Sequence, residues 1–369
     1  MKVERVTLHR LAMPLVRPFE TSFGTQTDRD VLLVHLVTSE GVEGWGECVA
    51  GADPVYSSEY VSGGEHLIEN YLAPAILAEP DITAETLDAR LRFVVGHRMA
   101  KAAVEAAVLD AQLRASGISF GRYLGAVREE VDCGVSVGIA PTLDELLDEV
   151  SGYVAEGYRR IKLKIRPGWD LEPVAAVRAL LGDEALLQVD ANTAYTPDDI
   201  DHLRELDQFG LLLIEQPFVE DDIAGHAVLA AAIDTPICLD ESITSAAIAR
   251  DAIERDATSI VNVKPGRVGG YLESVRIHDV CVERDVPAWV GGMLETGLGR
   301  AANVALAALP GFTLPGDTSA SRRYYAEDLT EPFELVDGRL RVPTGPGTGV
   351  AVRQELVAGW ATRPPLLLR

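Results

Sequence analysis

Short apolar runs, each closed by a charged residue, set the rhythm of the middle of the chain. Between Arg160 and Gly270 they read RRIKLKIRPG, LLQVDANTAY, LLLIEQPF, PICLDES and SIVNVKPGRVGG. Brief runs of this kind, bounded by turn residues and separated by helix-like stretches, predict buried parallel strands alternating with helices. Lys164, Asp190, Glu215, Asp240 and Lys264 close successive runs, at steps of 26, 25, 25 and 24 residues. A strand, a helix and two loops need about that length, since a βαβ crossover takes roughly thirty residues. The beat predicts an α/β chain built as a TIM-type barrel, with one polar group at the same end of each strand. That end is where such barrels keep their active sites.

Outside this stretch the pattern changes. Residues 1–48 read as β structure, with a polar loop at 18–27 dotted by Phe19 and Phe23. A second loop at 50–60 carries Tyr56. From about Ser57 the period becomes helical, and Arg98 to Ser116 is the clearest helix, Ala-rich and stopped by Gly117. This predicts an α+β unit of some 125 residues ahead of the barrel. Its aromatic loops either pack locally or, in the functional reading, close over the barrel mouth as a lid. The barrel is expected to begin at Cys133–Gly138, with Ala288–Val290 as its seventh strand running into GGMLETG.

The spacing carries chemistry. Neighbouring strands lie about 4.8 Å apart, so Asp190, Glu215 and Asp240 on consecutive strands converge at one rim. Three carboxylates that close repel unless a cation sits among them. The donors are all oxygens, which favours a hard ion, Mg²⁺ ahead of Ca²⁺ because three protein ligands leave room for water and substrate. Lys164 and Lys264 end the second and sixth strands and face each other across the ring. Lys162 points the same way as Lys164, because side chains alternate along a strand, and it joins them as a third catalytic candidate. A divalent ion between two lysines suits removal of a proton next to a carboxylate, with the ion meeting the charge of the enediolate. A lysine base must be neutral, and the ion, Lys162 beside Lys164, and Arg267 beyond Lys264 are expected to push the lysine pKa values down.

Composition narrows the partners. A net charge of −24 argues against nucleic acid and anionic membranes. No apolar run approaches the roughly 20 residues of a membrane span. The four cysteines stand far apart with no C-x-x-C spacing, as in a reduced cytoplasmic enzyme.

Together the motifs K-x-K at Lys162/Lys164, VDAN at Asp190, IEQP at Glu215, LDES at Asp240 and NVKPGRVGG at Lys264 resemble the enolase superfamily. More narrowly, PFETSFGTQT, YSSEY, GHRMAKAAVE, GVSVGI, GGMLETGLGRAAN and LPGDTSAS resemble the N-acylamino acid racemase / o-succinylbenzoate synthase family. The resemblance covers nearly the whole chain. It implies a (β/α)7β barrel over residues 131–320, a capping domain over 1–130, and a segment at 321–369 that packs back on the cap. It implies Mg²⁺, or Mn²⁺, on Asp190, Glu215 and Asp240, and Lys164 and Lys264 as the two bases. Substrate contacts implied by the same resemblance are Ser136, Asn192, Phe19, Phe23, Tyr56, Gly292, Met293 and Leu294, with Arg267 and Glu241 just behind the site. The expected reaction is racemisation of an N-acylated amino acid. Alternatives are syn dehydration to o-succinylbenzoate in menaquinone synthesis, both reactions together, dipeptide epimerisation, or a non-catalytic binding protein. The expected partner is a small carboxylate substrate, in a homo-oligomer. One departure is Ala50-Gly51, where close relatives tend to carry methionine.

Overall fold

Two long strands open the chain, β1 (Val3–Thr21) and β2 (Gly24–Thr38), in a computed structural model that describes all 369 residues. The stretch 18–27, expected as a loop, is the far end of this hairpin. Thr21 pairs with Gly24 and Phe19 with Gln26, so only Ser22 and Phe23 turn the chain. Gly24 sits at φ +145°, a conformation that favours glycine. The polar residues that suggested a loop instead mark a two-stranded ribbon projecting beyond the sheet.

Strand β3 (Glu43–Cys48) pairs antiparallel with β2, and the helix Arg98–Ser116 lies across it. The contact is backbone to backbone. A Cβ at Gly46 would stand 2.0 Å from the Ala103 carbonyl oxygen, and one at Gly44 would stand 2.1 Å from that of Ala107. Glycine on the strand and alanine on the helix are therefore two halves of one packing solution. Glu59, at the end of the 50–60 loop, accepts from the amides of Met99 and Ala100 and so caps this helix. At the other end Gly117, at φ +68°, closes it with backbone bonds to Arg114 and Leu113.

A short strand, β4 (Glu130–Asp132), leads into seven parallel strands in sequential order. They are β5 (Gly134–Val137), β6 (Arg160–Lys164), β7 (Leu186–Asp190), β8 (Ile214–Glu215), β9 (Ile237–Leu239), β10 (Ile260–Val263) and β11 (Ala288–Val290). The sheet curls, and residues 312–317 span its two edges. Thr313 N and Asp317 N donate to β11 carbonyls, and Gly134 N donates to Gly316 O. The result is TIM-barrel-like, with a closing segment that makes single bridges instead of a full ladder. Strand β12 (Arg339–Arg341) pairs with β4, and β13 (Leu366–Leu368) adds to the outer edge of β1. Val357 meanwhile packs with Leu11, Met13 and Trp45. One continuous apolar core runs from β1 and β2 through Arg98–Ser116 into the parallel strands. No helix is long and apolar enough to cross a membrane.

Glu105 crosses from the Arg98–Ser116 helix to cap the barrel helix Tyr271–Glu283, accepting from the amides of Tyr271 and Leu272. Burial pushes its carboxyl up to about 7, against the pull of those amides. The folded protein therefore keeps this proton to higher pH than the unfolded chain does. Stability must fall as pH rises from about 4.5 through about 7, by at most about 3 kcal/mol from this residue. Denaturant unfolding at pH 5 and pH 8 should show a smaller pH difference in Glu105→Gln than in the wild type. Equal differences would contradict the assignment.

Candidate active site

Strand register places the acids and lysines on adjoining rungs. Lys164 pairs with Asp190, and Asp190 with Glu215, across β6, β7 and β8. Asp240 follows β9 directly and Lys264 follows β10. All five are buried. Lys164 Nζ donates to Asp190 Oδ2 at 2.6 Å and to Asn192 Oδ1 at 2.6 Å. Lys264 Nζ donates to Asp240 Oδ2 at 2.6 Å and to the Tyr56 hydroxyl at 3.0 Å. The two lysines stand four strands apart and take the outer acids of the arc from opposite sides. Lys162 lies 3.0 Å from Glu215 Oε2, 3.3 Å from Asp190 Oδ2 and 2.6 Å from Asp317 Oδ2, with its ammonium 4.8 Å from the centre of the Trp289 ring.

The backbone at the strand ends is strained. Eight non-glycine residues have positive φ, and four of them, Asn192, Thr193, Gln216 and Leu294, follow strand ends of this site. Such strain persists where surrounding bonds over-determine it, commonly at functional sites. Here Asn192 Nδ2 donates to Glu241 Oε1 at 2.9 Å, and Gln216 Oε1 accepts from the amides of Asp240 and Ser242. Arg267 donates to the Glu241 carbonyl and to Glu220, with Nε 3.9 Å from Asp240 Oδ1.

Electrostatics follow from this pairing. Burial opposes ionisation of Asp190, yet Lys164, Lys162 and Lys264 hold it well below the usual carboxylate range. Glu215 is pushed up to about 8 by burial and by Asp190, with Lys162 pulling against them. Glu241 rises to about 7 through burial and the neighbouring Asp240. Burial pulls Lys264 down, but Asp240, Tyr56 and Glu241 outweigh it and hold the amine well above its ordinary value. Lys162 is likewise raised, burial being outweighed by Asp317, Glu215 and Asp190. Without a metal ion, Lys264 thus lies opposite to its expected lowering, because its ammonium has a carboxylate partner at 2.6 Å, as Lys162 has in Asp317.

No group of three or more acids, histidines or cysteines closes on one point; the lysines take up the carboxylates instead. The donor set still fits a divalent cation. Asp240 Oδ1 is buried with no hydrogen-bond partner, and mutual repulsion already strains the ionisation of Glu215. The ligands are oxygens only, as a hard ion requires.

Above the cluster lies a chamber of about 60 Å³. Every residue expected to touch substrate lines it: Phe19, Phe23, Tyr56, Ser136, Asn192, Gly292, Met293 and Leu294. The hairpin tip and the 50–60 loop meet, with the Phe23 and Tyr56 rings 5.3 Å apart, and Ser22 Oγ donates to Asn192 O at 3.1 Å. A larger groove of about 290 Å³ lies between Ala84–Leu91 and Tyr271–Glu283, with Lys162, Lys164 and Lys264 all outside its wall. Several residues of the site had no role assigned from the sequence. Asp317 bridges Lys162 and Arg160, and Asn262 Nδ2 donates to Glu215 Oε1 at 2.7 Å. Both left a signal. Asp317 falls on the same beat two strands beyond Lys264, and Asn262 precedes Lys264 by two residues, as Lys162 precedes Lys164. Arg29 and Tyr324, also in the chamber wall, left none.

The fold and the acid–lysine arc define a class. Residues 145–356 match the enolase C-terminal domain-like family, and residues 4–125 match the mandelate racemase / muconate lactonizing enzyme N-terminal domain. The chain belongs to the enolase superfamily, in its mandelate racemase / muconate lactonizing branch. It is 63% identical over 357 residues to an N-succinylamino acid racemase of Amycolatopsis sp, covering 97% of each chain. It is 47% identical over 358 residues to an o-succinylbenzoate synthase of Geobacillus stearothermophilus, covering 97% of this chain and 95% of the relative. An enolase-superfamily crystal structure from Listeria innocua superposes with a TM-score of 0.95 at 38% identity, covering 100% of this chain and 99% of the other.

Proposed function

We propose that the chain interconverts the enantiomers of N-acylated amino acids, with N-succinyl amino acids as the leading substrates. The observation that carries this reading is the pair of buried lysines on β6 and β10, reaching the carboxylate arc from opposite sides. The 63% identity to a protein named N-succinylamino acid racemase supports it. The parts would divide as a cap over 1–130, a (β/α)7β barrel over 131–320 with residues 312–317 as its last strand, and a returning segment over 321–369.

The chemistry needs one neutral and one charged lysine. The Lys164 Nζ lone pair takes the α-proton from one face, and the C–H electrons move into the substrate carboxylate to give an enediolate. Lys264, as the ammonium, gives a proton to the same carbon from the other face. The enzyme ends with the two protonation states exchanged, and the reverse turnover restores them. Asn192 steadies Lys164, and the Tyr56 hydroxyl does the same for Lys264. Lys162, held charged by three carboxylates, is a fixed positive charge under the site instead of a base. A divalent ion, Mg²⁺ by preference, would be held by Asp190, Glu215 and Asp240, and when bound supplies positive charge for the enediolate oxygens. The hairpin tip and the 50–60 loop meet over the chamber, with Phe23 against Tyr56, so entry of an N-acyl amino acid is through their parting.

The test is polarimetry of N-succinyl amino acids with Mg²⁺. Loss of rotation from either enantiomer supports the reading, and unchanged rotation for both ends it. A second reading, o-succinylbenzoate synthesis, would use Lys164 as the single base with Lys264 as a resident cation. The identity to o-succinylbenzoate synthases favours it, and the same geometry serves both. Catalytic efficiency on the two substrates, measured side by side, ranks them.

A further inference from the structure

The chamber holds one cation that the proton-transfer scheme leaves unused. Arg29, on β2, is 3% exposed and lines the chamber wall near Gly51 and Leu294. Its terminal nitrogens donate to two neutral acceptors, Ala50 O at 2.8 Å and Val49 O at 2.5 Å. Its Nε has no partner. Lys162, Lys164 and Lys264, by contrast, each have a carboxylate at 2.6 Å. Glu47 feels the field of Arg29, but its oxygens are spent on Thr296 and Gly299. A buried guanidinium facing only carbonyls is costly unless an anion completes its shell.

The proposed substrate brings such an anion. An N-succinyl amino acid has two carboxylates, and only the one on the α-carbon is engaged at the reacting cluster. The other must be desolvated when the lids close, and it needs a partner there. We infer that Arg29 is the counter-ion for a second carboxylate carried by the acyl arm, so that the site selects dicarboxylic acyl groups over neutral ones. This rests on the N-acyl racemase reading. Because Arg29 also holds the carbonyls at the start of the 50–60 loop, binding of the acyl carboxylate is tied to the placement of that lid.

The experiment compares three acyl groups on one amino acid: succinyl, its neutral carboxamide analogue succinamoyl, and acetyl. In the wild type, kcat/KM should fall at least 10-fold from succinyl to succinamoyl, and binding of the achiral N-succinylglycine by calorimetry should exceed that of N-acetylglycine by a similar factor. In Arg29→Met both ratios should collapse toward one, whatever happens to the absolute rates. Arg29→Lys, which keeps the charge, should retain part of the preference. Equal treatment of succinyl and succinamoyl by the wild type overturns the inference without any variant having to fold. So does an Arg29→Met enzyme that keeps the full ratio, which would leave Arg29 as a lid clamp only. Failure of the racemase reading looks different: no acyl group would support α-proton exchange at all.

Discussion

Lys264→Ala is expected to abolish racemisation while leaving α-proton exchange on one enantiomer. The amine is buried against Asp240 and the Tyr56 hydroxyl, and burial and Asp240 raise that phenol well above its ordinary value, which leaves it a poor proton donor to the α-carbon. Arg267, the nearest other cation, is fastened to Glu241 and Glu220 and stays charged. Loss of a positioned acid–base group costs about 10²–10⁴-fold, and racemisation needs both faces, so conversion should fall by about 10⁴. Lys164 remains on the other side, held by Asp190 and Asn192. It can still remove and return the proton of whichever enantiomer presents its C–H bond to that face. Lys164→Ala should show the mirror behaviour, exchanging only the other enantiomer. Proton NMR in D₂O on each pure enantiomer reads this directly. A variant that still racemises would show that the wrong amine has been assigned.

Removal of divalent metal, or Glu215→Gln, is expected to have the second largest effect. Glu215 is the middle acid of the arc, fully buried, with Lys162 on one oxygen and Asn262 on the other. Replacement by the neutral amide keeps the shape but takes one negative charge from the ligand set. Metal affinity should fall about 100-fold, the factor that corresponds to about 3 kcal/mol. Chelated wild-type enzyme should be inactive and recover fully on addition of Mg²⁺. Calorimetric titration with Mg²⁺ separates the two effects, since it reads binding without turnover. Unchanged affinity in Glu215→Gln, or full activity after chelation, would contradict the assigned ligand set.

Much of this site was legible because barrel geometry writes itself into the chain as a period. A residue at a strand end recurs every 24 to 26 positions, so Lys164, Asp190, Glu215, Asp240 and Lys264 could be gathered on one rim without coordinates. The Arg98–Ser116 helix was equally plain, since its alanines and terminal Gly117 are local signals. What the sequence hid depends on partners far along the chain. Residues 18–27 look like a loop by composition, and only pairing across the ribbon makes them strand. Arg29 reads as an ordinary strand charge until the fold turns it toward Val49 and Ala50. The carboxylate partners that raise Lys264 and Lys162 were hidden for the same reason. The pKa values of these amines follow from which carboxylate lies within 2.6 Å, and no spacing rule supplies that.

Two opposed bases leave a signature that one base cannot. In D₂O, a protiated N-succinyl amino acid gives up its α-proton to one lysine and receives deuterium from the other, which has equilibrated with solvent. Mass spectrometry of the product enantiomer, sampled within the first few per cent of conversion, should find it wholly deuterated while the remaining substrate is still largely protiated. A nascent product that keeps substrate-derived protium would mean a single group serves both faces, and the opposed-lysine account would be wrong.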